Sequence, residues 1–216
     1  MPDKSLQFIF INGKGGSGKD TQAEFFFKEH REKAVIISTG EIYRGARDSK
    51  GEFAKYHDLI TPYTFKVDYK GGYLPDEIIV PIVNETVLSR VEKGKEIFIF
   101  TGFPRTEPQL VMVDAMLDTL GEKFEVSSHH IYYDLSDETS YKRARFRCEL
   151  ARRRGEPTRP DDEPEAIDFR LGVFSKLTEP MLNRLKLEGR LITIDAEGTI
   201  EDIEAETSAR LSKERG

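Results

Sequence analysis

The chain has a single cysteine, Cys148, among its 216 residues. One thiol excludes an internal disulfide and leaves no cysteine cluster for zinc, so a reducing, intracellular setting is expected. The longest apolar runs are a few residues each. None reads as a membrane span or as a signal-peptide core after Met1, and the protein is expected to be soluble and cytoplasmic. The formal net charge of −6 argues against a chain-wide affinity for nucleic acid or an anionic membrane. His30, His57, His129 and His130 show no metal-ligand spacing. No Asn-Lys-x-Asp guanine motif, internal repeat or low-complexity segment occurs.

Five short apolar runs, Leu6–Ile11, Ala34–Ile37, Glu96–Phe100, His129–Tyr133 and Leu191–Ile194, read as buried strands. Their nearly continuous hydrophobicity is what a parallel sheet covered on both faces produces. Helical patterns alternate with them, at about Gly18–His30, Asp76–Lys93, Thr106–Leu120, Asp137–Arg153, Glu163–Leu187 and Thr199–Leu211. Pro180 is expected to break the fifth of these in two. Right-handed crossovers then give a doubly wound α/β domain whose loops gather at the carboxyl ends of the strands. Two segments interrupt the alternation: Arg44–Tyr73, mixed and tyrosine-rich, and Arg147–Asp162, loop-like. Long stretches of that kind in a compact domain read as functional flaps.

The densest chemical signal is Gly13-Lys14-Gly15-Gly16-Ser17-Gly18-Lys19-Asp20-Thr21, between the first strand and the first helix. Glycines let the backbone curl so that the amides of Gly16, Ser17, Gly18, Lys19, Asp20 and Thr21 point at phosphate. The helix N-terminus adds positive field, and Lys19 supplies a mobile cation. Four more motifs follow at strand ends or in the flaps: Ser38-Thr39-Gly40-Glu41-Ile42-Tyr43-Arg44, Gly71-Gly72-Tyr73-Leu74-Pro75-Asp76-Glu77, Thr101-Gly102-Phe103-Pro104-Arg105-Thr106-Glu107-Pro108-Gln109, and Thr158-Arg159-Pro160-Asp161-Asp162 with Arg170-Leu171.

On these five motifs, in this order, the chain resembles the nucleoside monophosphate kinases, most closely adenylate kinases of the short-lid form, from residue 6 to about 200. The resemblance implies a P-loop three-layer fold: one domain over 1–216, a monophosphate-binding flap at 41–73 and a lid at 147–161. The implied reaction is reversible, Mg2+-dependent transfer of the γ-phosphoryl group of ATP to AMP, giving two ADP, by a monomer whose partners are those nucleotides. Lys19, Arg105, Arg147, Arg159 and Arg170 would then be catalytic. Arg143 and Arg147 would join the loop in holding ATP. Thr39, Gly40, Arg44, Tyr73, Leu74, Gly102, Arg105, Gln109, Arg159 and Arg170 would hold AMP, and Asp161 and Asp162 would orient the lid arginines. Arginine suits such work because its planar fork grips phosphate oxygens in pairs and stays charged. Arg154 competes with Arg147 as the lid arginine. Thr39 and Gln109 go with adenine in the family, so a UMP/CMP kinase is the runner-up, and a nucleotide-binding regulator without catalysis is the reading from another class.

Two positions depart from the family pattern. Relatives carry Asp where this chain has Thr101, and Gly where it has Asp20. Asp20 is expected to take over the magnesium role that Thr101 cannot fill. Tyr56, Tyr63, Phe65 and Tyr69 are expected to pack inside the flap, and Phe25, Phe26 and Phe27 against the core behind the loop helix.

Overall fold

The computed structural model describes residues 4–70, 72–158 and 164–214. Five parallel strands form one sheet: β1 (Ser5–Gly13), β2 (Ala34–Ser38), β3 (Ile97–Thr101), β4 (Glu125–Asp134) and β5 (Leu191–Asp195), in the order β2-β3-β1-β4-β5. The register sets Phe8 beside Phe98 and Phe10 beside Phe100. Within the continuous apolar run of β1, the side-chain period of two divides the residues between two cores. Phe8 and Phe10 face one side and stack on Phe98 and Phe100 with ring centroids 4.9 and 4.8 Å apart. Ile9 and Ile11 face the other side. All four phenylalanines are fully buried, each burial contributing roughly 2–3 kcal/mol of transfer free energy.

Helices cover both faces. The phenylalanine face meets α2 (Thr39–Arg47), α5 (Asp76–Glu92) and α6 (Glu107–Gly121) through Ile42, Val83, Val87, Val113 and Leu117. The isoleucine face meets α1 (Lys19–Glu29) and α10 (Ile200–Glu214) through Ala23, Ile203 and Leu211. A smaller apolar cluster joins α6 to α9 (Glu179–Leu187) through Leu110, Leu182 and Leu185. No helix among the described residues is long and apolar enough to cross a membrane.

The expected doubly wound parallel sheet is therefore present, with three local corrections. Pro180 does not split the late helix: α8 (Pro164–Val173) runs through a π turn (Phe174–Thr178) into α9. Proline lacks the N–H that would close on the preceding turn, and one wider turn, with Glu179 N–H bonded to the Phe174 carbonyl, absorbs the mismatch. The segment after Arg147 is not all loop, because α7 (Asp137–Arg154) continues to a left-handed Gly155 cap. Phe65 is 63 % exposed, so most of its side chain lies at the surface rather than buried inside the flap.

Between Arg47 and Asp76 the chain forms short helical pieces, including α3 (His57–Ile60) and α4 (Thr64–Lys70). Tyr56 and Tyr63 are half-buried against the core. Glu85 on α5 accepts the Tyr56 hydroxyl at 2.8 Å and pairs with Lys55, and Arg90 pairs with Glu52. Phe26 and Phe27 pack against the isoleucine-face core, whereas half-buried Phe25 lies under Lys28, its ring centroid 5.5 Å from the ammonium.

Candidate active site

The carboxyl ends of β1, β2 and β3 bring their following loops to one edge of the sheet. Gly16 and Gly18 adopt left-handed φ values of 84° and 82°, which bend the loop tightly before α1. Gly18 caps α1 with no side-chain hydrogen bond, so the first-turn amides of the helix are not satisfied by a side-chain cap. By contrast, Ser136 caps α7 and accepts from Thr139 N–H. Within the loop the Ser17 N–H donates to the Lys14 carbonyl at 3.2 Å, so the uncapped donors are those of the first turn of α1, at its positive end. Ser17 Oγ is buried there without a protein partner. Thr21 is exposed on the first turn of α1.

Lys19 reaches into the space beside this loop, with its side chain only 13 % exposed. Burial pushes its pKa down. Asp20, 3.6 Å away, pulls it back up, while Arg105, Arg170 and Arg147 press it down further. Four cations therefore share one poorly hydrated region, an arrangement that favours a polyanion. Arg170 lies over Gly15, where an added Cβ would stand 3.4 Å from its guanidinium.

Two cavities meet here. One, small, is lined by Gly13, Lys14 and Gly15 of the loop and by Ser140 and Phe174. The other, a wide open cleft, runs past Thr39, Gly40, Arg44, Leu74, Thr101 and Gln109. Lys19, Tyr73, Gly102, Arg105 and Arg170 line both.

The cleft side is tightly built. Thr39 donates to the Gly102 carbonyl at 3.0 Å. Arg44 lies so close over Gly40 that a Cβ there would sit 3.0 Å from its guanidinium. Arg105 donates from Nε to the Gly102 carbonyl and lies 4.5 Å above the Tyr73 ring. The Tyr73 hydroxyl is 3.2 Å from Thr178 Oγ1 at the end of the π turn. Gln109 is 2 % exposed, and its amide is held by Asp76 and by the Arg105 backbone.

The family model for adenylate kinase matches residues 11–190. The chain belongs to the adenylate kinase family. It is 33 % identical over 195 residues to an adenylate kinase of Jannaschia sp. (strain CCS1), covering 90 % of this chain and 94 % of that protein. It is 34 % identical over 197 residues to the adenylate kinase of Parabacteroides distasonis, covering 90 % and 92 %. It is 28 % identical over 212 residues to adenylate kinase isoenzyme 1 of Caenorhabditis elegans, covering 96 % and 89 %. The chain is thus an enzyme of the adenylate kinase class, a nucleotide-binding phosphotransferase.

Within this adenylate kinase framework the structure gathers most of the expected residues. Lys19, Asp20, Thr39, Gly40, Arg44, Tyr73, Leu74, Gly102, Arg105, Gln109 and Arg170 line the cleft. Arg143 sits apart from it, donating to the Gly16 carbonyl at 3.0 Å and to the Glu197 and Gly198 carbonyls at 3.3 and 3.2 Å. Arg147 lies one turn further along α7, close enough for its charge to act on Lys19. Arg154 is exposed on the last turn of that helix. Arg159, Asp161 and Asp162 lie outside the described residues. Sequence reasoning missed Glu24, which lines the cleft one turn after Asp20, and also Asp76 and Ser140. Only the fold brings those contacts together. Among the described residues, no group of three or more His, Cys, Asp or Glu side chains is placed to hold a metal ion.

Proposed function

We propose that this enzyme transfers the γ-phosphoryl group of ATP reversibly to AMP, giving two ADP, at the junction of the two cavities. The observation that carries this reading is that Lys19, Arg105 and Arg170 line both. A clamp shared by two compartments suits two phosphate chains meeting end to end. A phosphate oxygen of AMP attacks the γ-phosphorus while the bond to the β–γ bridging oxygen breaks, and the electron pair leaves with ADP. Such a transfer needs alignment and spread positive charge rather than covalent help.

The roles follow from position. The loop amides from Gly16 to Thr21 and Lys19 hold the ATP phosphates. Arg44 and Arg105 hold the AMP phosphate, Arg105 being oriented by the Tyr73 ring and the Gly102 carbonyl. Arg170 and Arg147 flank the migrating group, and Arg159 is added to them on the family resemblance alone. Arg143 spends its N–H edge on carbonyls and keeps its flat face for the base of ATP. Thr39, Gly40, Leu74 and Gln109 form the adenine side of the acceptor site. Residues 41–73 act as the acceptor flap and 147–161 as the lid, in a chain that works as a monomer in the cytoplasm.

Magnesium fits this donor set in one way. Asp20, at the start of α1 and on the cleft wall, is the group of this chain that would hold the ion beside the ATP phosphates. The ion supplies charge neutralisation to the phosphates when bound. Asp20 lines the cleft with Thr101 and is 68 % exposed, so a hydrated ion reaches it. A carboxylate at this helix end without a cation would repel ATP.

A coupled assay of ADP formation from MgATP with AMP, CMP, UMP or GMP tests the reading. AMP is expected to be the preferred acceptor by at least ~100-fold, the discrimination that hydrogen-bonded base readout allows. Absence of turnover with AMP, or faster turnover with UMP or CMP, would overturn it.

A further inference from the structure

Asp76 opens α5 directly after Leu74 and Pro75 and faces the start of α6 across the cleft wall. Its Oδ1 accepts from Gln109 Nε2 at 2.6 Å, and its Oδ2 accepts from the Thr106 hydroxyl at 3.0 Å. On the other side of the same amide, Gln109 Oε1 accepts from Arg105 N–H at 2.7 Å. The Gln109 backbone N–H donates to Thr106 Oγ1 at 3.2 Å, so the Thr106 hydroxyl is turned toward Asp76. Each partner has one possible polarity. A carboxylate only accepts and a backbone N–H only donates, so the amide cannot turn over without losing both bonds.

We infer that Asp76 fixes the base specificity of the acceptor site by holding the Gln109 amide one way round. An amide has two N–H donors and two oxygen lone pairs. With one of each committed, one donor and one acceptor remain, in a fixed spatial order. Adenine presents an amino donor beside a bare N1 acceptor. A 6-oxopurine presents the reverse, a carbonyl acceptor beside an N1–H donor. A freely turning glutamine would serve both, whereas a locked one serves the base whose order matches. Asp76 is a positioning residue on this view, since it touches Gln109 and not the nucleotide. The inference rests on Gln109 facing the acceptor base, as proposed above.

The test compares kcat/KM for AMP and for inosine monophosphate, which differs from AMP by that exchange of donor and acceptor at the base. The wild-type enzyme is expected to prefer AMP by at least ~100-fold, because the wrong base leaves two buried polar groups unpaired. Asp76→Leu keeps most of the bulk but offers Gln109 no acceptor, so only the Arg105 N–H still opposes the reversed amide. It is expected to lower the AMP-to-inosine ratio about tenfold, the weight of one charge-assisted hydrogen bond, and Asp76→Glu is expected to restore much of it. A ratio unchanged in Asp76→Leu, even with both activities reduced alike, would show a merely structural role and overturn the inference. A wild-type enzyme that uses the two acceptors within tenfold of each other would overturn it without any variant. Failure of the wild-type enzyme to use AMP at all would instead strike the acceptor reading beneath it.

Discussion

Ser140 on α7 donates a 2.6 Å hydrogen bond to the Gly15 carbonyl of the phosphate loop. One turn of α7 on either side, Asp137 pairs with Lys14 at 2.6 Å and Arg143 donates to the Gly16 carbonyl at 3.0 Å. Residues spaced by three on one helix face thus engage three consecutive loop residues. The helix engages the Lys14 ammonium and the Gly15 and Gly16 carbonyls, which fixes the course of the loop. The same helix carries Arg147 further along.

Removing the central contact should loosen the loop specifically. Ser140→Ala is expected to raise KM for ATP about three- to tenfold, the range of one lost neutral hydrogen bond, with KM for AMP unchanged. Initial-rate kinetics varying each nucleotide in turn check this. Equal changes for both nucleotides would mean the contact serves general folding instead.

The lid arginine can be assigned by comparing two variants. Arg147→Gln is expected to lower kcat by roughly 100- to 1,000-fold, the usual loss for a donor that stabilises transition-state charge. Arg154→Gln, on the exposed final turn of α7, is expected to stay within about twofold, as surface substitutions do. The opposite order would move the lid register to Arg154.

Asp20 and Thr101 should be coupled through the metal. Asp20→Gly is expected to weaken Mn2+ binding to the enzyme–ATP complex, read by electron paramagnetic resonance, and to raise the Mg2+ concentration needed for turnover about tenfold. That factor is the weight of one lost charged ligand. Adding Thr101→Asp to that variant is expected to restore both. A harmless Asp20→Gly, or no restoration, contradicts the exchange.

His130 makes acid stability a separate matter from catalysis. It is 2 % exposed on β4, stacks 4.8 Å from Phe10, and neither ring nitrogen has a protein partner. Burial, with a smaller push from Arg190, lowers its pKa from 6.5 to about 4. The unfolded chain therefore takes the proton first. Stability is full above pH ~6.5 and declines toward pH ~4, by up to roughly 3 kcal/mol at the lower limit. His130→Phe is expected to flatten that part of the pH dependence of Tm. An unchanged slope would place the acid sensitivity elsewhere.

The sequence made the sheet and the phosphate loop legible because both are local patterns. Phe8 to Ile11 read as strand from hydrophobicity alone, and Gly13 to Lys19 carries its geometry in its glycines. The π turn at Phe174–Thr178 was hidden because Pro180 predicts a break but not how the preceding turn absorbs it. Asp76 and Ser140 were invisible as functional residues, since their partners lie 33 and 125 positions away. Phe65 misled because an aromatic in a tyrosine-rich segment suggests packing, while the short helical pieces leave it at the surface. Arg143 and Arg147 shared a predicted face, yet which carbonyls Arg143 would reach depended on the approach of the loop to α7.

On the proposed function, Lys19, Arg105, Arg147 and Arg170 form one clamp around two phosphate chains meeting end to end. A crystal structure with two adenosines joined through five phosphates measures this most directly. One adenine is expected beside Gln109 and the other at the Arg143 end, with those four side chains bonded to the middle phosphates. Side chains turned away from the bridge, or both adenines on one side of it, would contradict the account.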